Sequence, residues 1–64
     1  MKKINQFKEI VRTHSAKEIE GVLVDVQTAN AIVTVYEALG AENKKKFINS
    51  SVHKMAHTAW KLIN

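Results

Sequence analysis

The sequence contains no cysteine and no proline, and only two of its 64 residues are glycine. Without cysteine, no disulfide bond can stabilise the fold. Because proline and glycine are so scarce, no segment has the composition of an interdomain linker, and we predict a single helical domain over residues 1–64. A chain this short buries only about 60% of its unfolded surface, so a metal ion or a partner chain is expected to add stability.

Long apolar runs are also missing. No segment is apolar over the roughly 20 residues that a helix needs to cross a bilayer. The lysines in "MKKINQFKEI" are not followed by the apolar stretch of a signal peptide. These two absences predict a protein that stays in the cytoplasm and has no membrane partner.

Acidic residues are few in the last third of the chain. Residues 41–64 contain five lysines and one acidic residue, Glu42. The only charged residues in 21–40 are the acidic Asp25 and Glu37. A basic end next to an acidic and apolar middle favours an anionic partner or self-association.

Helical patterns dominate what is present, and the sequence predicts an all-α fold. Apolar residues recur at helical spacing in three stretches, which predict a small bundle of three principal helices at about 3–13, 26–39 and 51–63. Asp25 is suited to cap the second helix, and Ser50 or Ser51 the third.

Shorter segments lie between these helices. Ser15 followed by Glu18 forms a capping-box pattern and predicts a short helical turn at 16–20, which would end at Gly21. A second short helical turn is predicted at 42–49. The stretch "GVLVDV" alternates like a β-strand, and it is either an extended linker over the core or an edge that pairs with another copy.

The middle helix is unusually apolar, because its polar positions occupy an arc of only about 80°. Covering the remaining sides within 64 residues is difficult, so we expect a homodimer. The predicted interface residues are Val22, Val24, Val35 and Leu39.

One segment carries a family resemblance. The stretch from Asp25 to Leu39, "DVQTANAIVTVYEAL", followed by "ENKKKF" and "MAHTAWKLI", resembles a motif of small uncharacterised proteins of tailed bacteriophages. In these proteins an Asp-x-x-Thr-Ala-x-Ala-Ile segment precedes Val-Tyr-x-Ala-Leu. The resemblance spans roughly residues 22–63 and implies a phage origin and a helical fold, but no catalytic residues.

Two histidines raise the question of a metal site. His53 and His57 are four residues apart, which places both imidazoles on one side of a helix. A zinc protease motif needs glutamate after the first histidine, but Lys54 occupies that position. His14 is the only further histidine, so we expect neither a metal site nor another cofactor.

Catalytic patterns are similarly incomplete. His14, Ser15 and Glu18 are close in sequence, but helix capping explains the serine and the glutamate. A chain of this size also has little volume for a pocket. We therefore expect no enzymatic activity.

A basic surface remains as a candidate binding site. Its residues are Lys44, Lys45, Lys46, His53, Lys54, His57 and Lys61. These cations are suited to nucleic-acid phosphates, although the single arginine and the lack of an exposed aromatic pair count against base recognition. The preferred prediction is a non-catalytic, phage-encoded accessory protein that binds a host or phage protein. The alternative is a small nucleic-acid-binding module that uses the basic C-terminal third.

Overall fold

The computed structural model describes residues 3–63, which form four α-helices and one β-hairpin. Their order is α1 (Lys3–Thr13), β1 (Lys17–Ile19), β2 (Val22–Val24), α2 (Val26–Ala38), α3 (Ala41–Ile48) and α4 (Val52–Ile63). α2 is the central helix, because α1, α3 and α4 all pack against it. The three principal helices lie where the sequence predicts them, and the predicted turn at 42–49 is a helix of 8 residues.

The helix starts follow from their capping residues. The Thr28 backbone N–H donates a 2.7 Å hydrogen bond to Oδ1 of Asp25 at the start of α2. Ser51 Oγ accepts a 3.2 Å bond from the backbone N–H of Lys54 in α4. Both bonds satisfy amide groups that have no partner within the helix, and they confirm the predicted capping roles of Asp25 and Ser51.

The segment predicted as a short helix at 16–20 is a β-strand instead, and that prediction is wrong. β1 pairs antiparallel with β2, with Ile19 opposite Val22. Glu20 and Gly21 form the two-residue turn, and their φ angles of 51° and 79° are both positive, as a type I′ hairpin requires. The Ser15 hydroxyl donates to the carbonyl oxygen of Thr13 and caps no helix. The fold is therefore mostly helical but not strictly all-α.

The strand-like stretch "GVLVDV" is neither an extended linker nor dependent on a second copy of the chain. Its residues Val22–Val24 form β2, and their partner strand β1 belongs to the same chain. Ile19 and Val24 are both buried, so the hairpin adds one apolar side chain from each strand to the core. The pairing satisfies backbone groups that would otherwise favour an intermolecular sheet.

The core is built mainly on α2. Its buried side chains come from all four helices and both strands: Ile4, Phe7, Ile10, Ile19, Val24, Ala29, Ala31, Ile32, Val35, Phe47, Val52, Met55 and Ala59. The difficulty that the sequence predicts in covering α2 within one chain is not met at Val35, because α1 and α4 pack along α2 and α3 also contacts it. Val24 and Val35 are thus inside the folded chain and cannot line a surface interface, whereas Val22 and Leu39 are half-buried against the core.

The longest helix in the described part of the chain has 13 residues. No helix within residues 3–63 is both long enough and apolar enough to cross a membrane.

Candidate binding surfaces

The predicted basic surface is divided between two helices. Lys44, Lys45 and Lys46 are on α3, and His53, Lys54, His57 and Lys61 are on α4. Six of the seven side chains are exposed, and Lys44 is half-buried. They therefore form two candidate surfaces, each with its own neighbours.

The two histidines lie on the exposed side of α4. His53, His57 and Lys61 follow one another at intervals of four residues, which places them along one side of the helix. The opposite side packs into the core through Val52 and Met55, which are 1% and 0% exposed. No acidic residue lies within Val52–Ile63, so the exposed side of α4 carries only neutral and basic groups.

Trp60 is more exposed than its position in the sequence suggests. It borders the core in the predicted helix, but 38% of the residue is accessible to solvent. It lies three positions after His57 and seven after His53, so the indole lies next to the histidine side of α4. Trp60 is therefore a single exposed aromatic residue, and the expected lack of an exposed aromatic pair holds among residues 3–63, where the other aromatic residues are buried or half-buried.

The apolar side of α4 extends beyond the core. Val52, Met55 and Ala59 are fully buried, and the same stripe continues at helical spacing to Leu62 and Ile63. These two residues are 63% and 45% exposed. We call Trp60, Leu62 and Ile63 the apolar end of α4, since no element of the described chain covers it.

The lysines of α3 have different surroundings. Ala41, Lys44, Lys45 and Ile48 are spaced so that they share one side of the helix, and all four line a surface cavity of about 740 Å³. Phe47 projects from another side of α3 and is buried in the core, which orients the helix. A cavity of this volume contradicts the expectation that the chain is too small for a pocket.

Residues from other elements complete this cavity. Lys3 and Ile4 belong to α1, Glu20 to the hairpin turn and Tyr36 to α2. The Lys3 ammonium donates a 2.7 Å hydrogen bond to the carbonyl oxygen of Ser50 and lies 3.2 Å from Oε1 of Glu20.

The ammonium of Lys44 lies 5.2 Å from the centre of the Tyr36 ring, within the range of a cation–π interaction. Lys46 does not line the cavity. Sequence reasoning missed Lys3, Glu20 and Tyr36, because they come from three separate elements and share no local motif.

The residues considered for metal binding and catalysis lie in three different parts of the described structure: the end of α1, β1 and α4. Within residues 3–63, no group of three His, Asp or Glu side chains is placed to hold a metal ion. His14 follows α1 with a φ of 54° and is exposed. Glu18 lies in β1 opposite Leu23 rather than near a helix start.

The ionisation of Asp25 is explained by its role in the fold. Hydrogen bonding from the Thr28 backbone N–H, and then from the Thr28 hydroxyl, lowers the pKa of the Asp25 carboxyl below its ordinary value, because both bonds favour the carboxylate. This shift marks a helix cap and not a catalytic group.

Comparison of the chain with models of protein families, with functionally characterised proteins and with solved structures yields no significant match.

Proposed function

We propose that this chain is a non-catalytic accessory protein of a tailed bacteriophage that binds a host or phage protein in the host cytoplasm. The phage origin is supported by the resemblance of the segment from Asp25 to Leu39 to small phage proteins. The absence of catalysis is supported by the core, because no polar or charged side chain among residues 3–63 is fully buried. Catalytic groups in enzymes are often buried, because burial helps to shift their pKa values.

The apolar end of α4 is the observation that carries the protein-binding role. A small domain gains stability by burying large apolar side chains. Each such side chain that stays exposed leaves about 1.5–3 kcal/mol of burial free energy unrealised. Trp60, Leu62 and Ile63 lie within four consecutive positions and remain exposed. Clustered apolar residues with a polar border are typical of contact surfaces, and tryptophan is enriched among the residues that dominate binding energy.

The positive charge of α4 indicates which surface charge a partner would carry. Lys61 lies between Trp60 and Leu62 in sequence and Lys54 about two turns earlier, both are exposed, and Val52–Ile63 contains no acidic residue. A complementary surface would hold an apolar groove for Leu62 and Ile63 with carboxylates along its border. The proposed partner is therefore a protein with an acidic border around an apolar helix-binding groove.

A pull-down from infected bacterial cells with three versions of the tagged chain tests this proposal. The wild type and a Leu23→Ser variant are expected to capture the same protein, whereas Leu62→Ser combined with Ile63→Ser is expected to lose it. Leu23 is the matched control, because it is 73% exposed but lies on β2. Equal capture by all three versions would show that the apolar end of α4 is not the contact surface.

Nucleic-acid binding is the second candidate, and the exposure of Trp60 favours it. The indole lies beside His53 and His57, with Lys61 on the next turn. An exposed aromatic ring beside cations is the combination that single-strand-binding proteins use, since the ring stacks on a base while the cations contact phosphates.

Salt dependence distinguishes the two functions. For single-stranded DNA, removing two phosphate contacts by Lys54→Gln and Lys61→Gln should reduce the slope of log K against log salt by about 1.4. Binding followed by Trp60 fluorescence gives this slope directly. Absence of measurable binding at low salt would eliminate this candidate and leave the protein-binding proposal unaffected.

A further inference from the structure

The cavity between α1, the hairpin turn, α2 and α3 has a mixed chemical character. Its apolar parts are the side chains of Ile4 and Ile48 and the ring of Tyr36. Three lysines and one glutamate also line it, which gives a net charge of +2 from three positive groups and one negative group. A cavity of about 740 Å³ is within the size range of small-molecule sites.

The three lysines differ in how they are engaged. Lys3 is held by both Glu20 and the carbonyl oxygen of Ser50, and only 16% of its side chain is exposed. Among the described residues, no carboxylate lies within ion-pair distance of Lys44 or Lys45. Lys3 and Glu20 therefore form part of the wall, and Lys44 and Lys45 are the cations available to a ligand.

The fold holds these two ammonium groups beside apolar surface. The burial of Phe47 orients α3 so that its Lys44 side faces the cavity. The position of Lys44 Nζ over the Tyr36 ring restrains it at the cavity wall, while Ile48 on the next turn supplies apolar surface. A ligand whose anionic group contacts the two lysines would therefore place its apolar part against Tyr36 and Ile48.

We propose that this cavity binds an amphipathic organic anion, a small molecule with one carboxylate or phosphate group on an apolar body. Each ammonium would form a charge-assisted hydrogen bond with the anionic group. The apolar body would displace water from the half-buried Ile48 side chain and Tyr36 ring. This site is independent of the apolar end of α4 and of either proposed function.

Titration of the isotopically labelled full chain with octanoate, followed by amide NMR, tests the site. We expect saturable shifts at Ala41, Lys44, Lys45 and Ile48. Octanol, which has the same apolar chain without the charge, should bind at least about tenfold more weakly, because it forms no charge-assisted bond. Octyl phosphate, titrated in parallel, shows whether the site prefers a phosphate or a carboxylate.

Two double variants complete the test. Lys44→Gln with Lys45→Gln should weaken binding of the preferred anion by about tenfold or more. Lys54→Gln with Lys61→Gln removes the same charge from α4 and should leave binding unchanged. Equal weakening in both variants, shifts centred on α4, or no saturable shift with either anion in the millimolar range would overturn the proposal. Circular dichroism confirms that both variants are folded.

Discussion

The ammonium group of Lys3 donates a 2.7 Å hydrogen bond to the carbonyl oxygen of Ser50, which joins the first residue of α1 to the turn between α3 and α4. The two residues are 47 positions apart, and the bond is partly shielded from water. The same ammonium contacts Glu20 in the hairpin turn. One side chain therefore links three elements that are distant in sequence.

Replacing Lys3 by methionine is expected to lower the free energy of unfolding by about 1 kcal/mol, because a partly shielded carbonyl loses a charged donor. Lys8→Met is the control. Its ion pair with Glu37 joins two half-exposed side chains, so the expected change is below about 0.5 kcal/mol. Urea denaturation of both variants measures the difference, and equal losses would contradict a special role for Lys3.

Replacing Asp25 by alanine is expected to cost about 1 kcal/mol, because the Thr28 amide loses its capping acceptor. Since folding lowers the pKa of this carboxyl, its ionised form stabilises the fold at neutral pH. That contribution is fully present above the ordinary value of 3.8 and is lost as the pH falls through the lower pKa of the folded state.

The Asp25→Asn variant separates the charge from the cap. It retains a capping oxygen but cannot ionise, so the wild type should be more stable at neutral pH, and the gap should narrow below pH 3.8. Thermal unfolding of both proteins across this range supplies the measurement. A gap that widens as the pH falls would refute the assignment.

Replacing Val35 by lysine is expected to unfold the chain. Val35 is only 6% exposed, and a buried ammonium without a partner costs more than a small domain can tolerate. Leu23→Lys, at a position that is 73% exposed, should remain folded. Circular dichroism reports folding, and light scattering on the wild type tests the predicted homodimer independently. A folded, monomeric Val35→Lys chain would place this residue at an interface if the wild type is a dimer, and on the solvent-exposed surface if the wild type is a monomer.

Replacing Gly21 or Gly40 by serine should change the free energy of unfolding in opposite directions. Gly21 has a φ of 79°, where a serine side chain is strained by about 1–2 kcal/mol. Gly40 has a φ of −71° and is the N-cap of α3 without a side-chain bond, so Gly40→Ser should add a few tenths of a kcal/mol. An added Cβ meets no atom within 4 Å at either position, so steric clash contributes to neither result. Urea denaturation of both variants measures the two changes, and effects of the same sign would contradict the prediction.

Zinc is expected to leave the melting temperature of the chain nearly unchanged. A native site would add about 2.7 kcal/mol at a hundredfold excess over Kd. Differential scanning fluorimetry of the wild type and His57→Ala, each with zinc and with chelator, measures the effect. A large zinc-dependent rise that disappears in His57→Ala would establish a metal site on α4.

The helices could be predicted from sequence because their signals are local. Asp25 precedes α2 and Ser51 precedes α4, and each cap acts within three residues of itself. The sequence indicates the second strand of the hairpin but assigns the first wrongly, because β1 has only three residues, too few for an alternating pattern, and because Ser15 and Glu18 match a capping box. In this region, pairing with β2 determines the structure, and that information lies outside the segment.

The cavity could not be predicted for a related reason. Lys3, Glu20, Tyr36 and Lys45 come from four elements, and only the packing of those elements brings them together. The sequence alone groups the lysines of α3 and α4, because they are close in sequence and have the same charge. The orientation imposed by Phe47 separates Lys44 and Lys45 from Lys46, since only the first two face the cavity.

The decrease in burial along α4 also affects how firmly different parts of the helix are held. Amides near Met55 and Ala59 are anchored by buried side chains and should exchange with deuterium only when the whole domain opens. The turn around Leu62 has no such anchor and should open locally, so its amides should exchange far faster. A molecule that binds this turn would hold it in its helical conformation and suppress the local opening. The amides whose exchange becomes slower would then identify the contact residues.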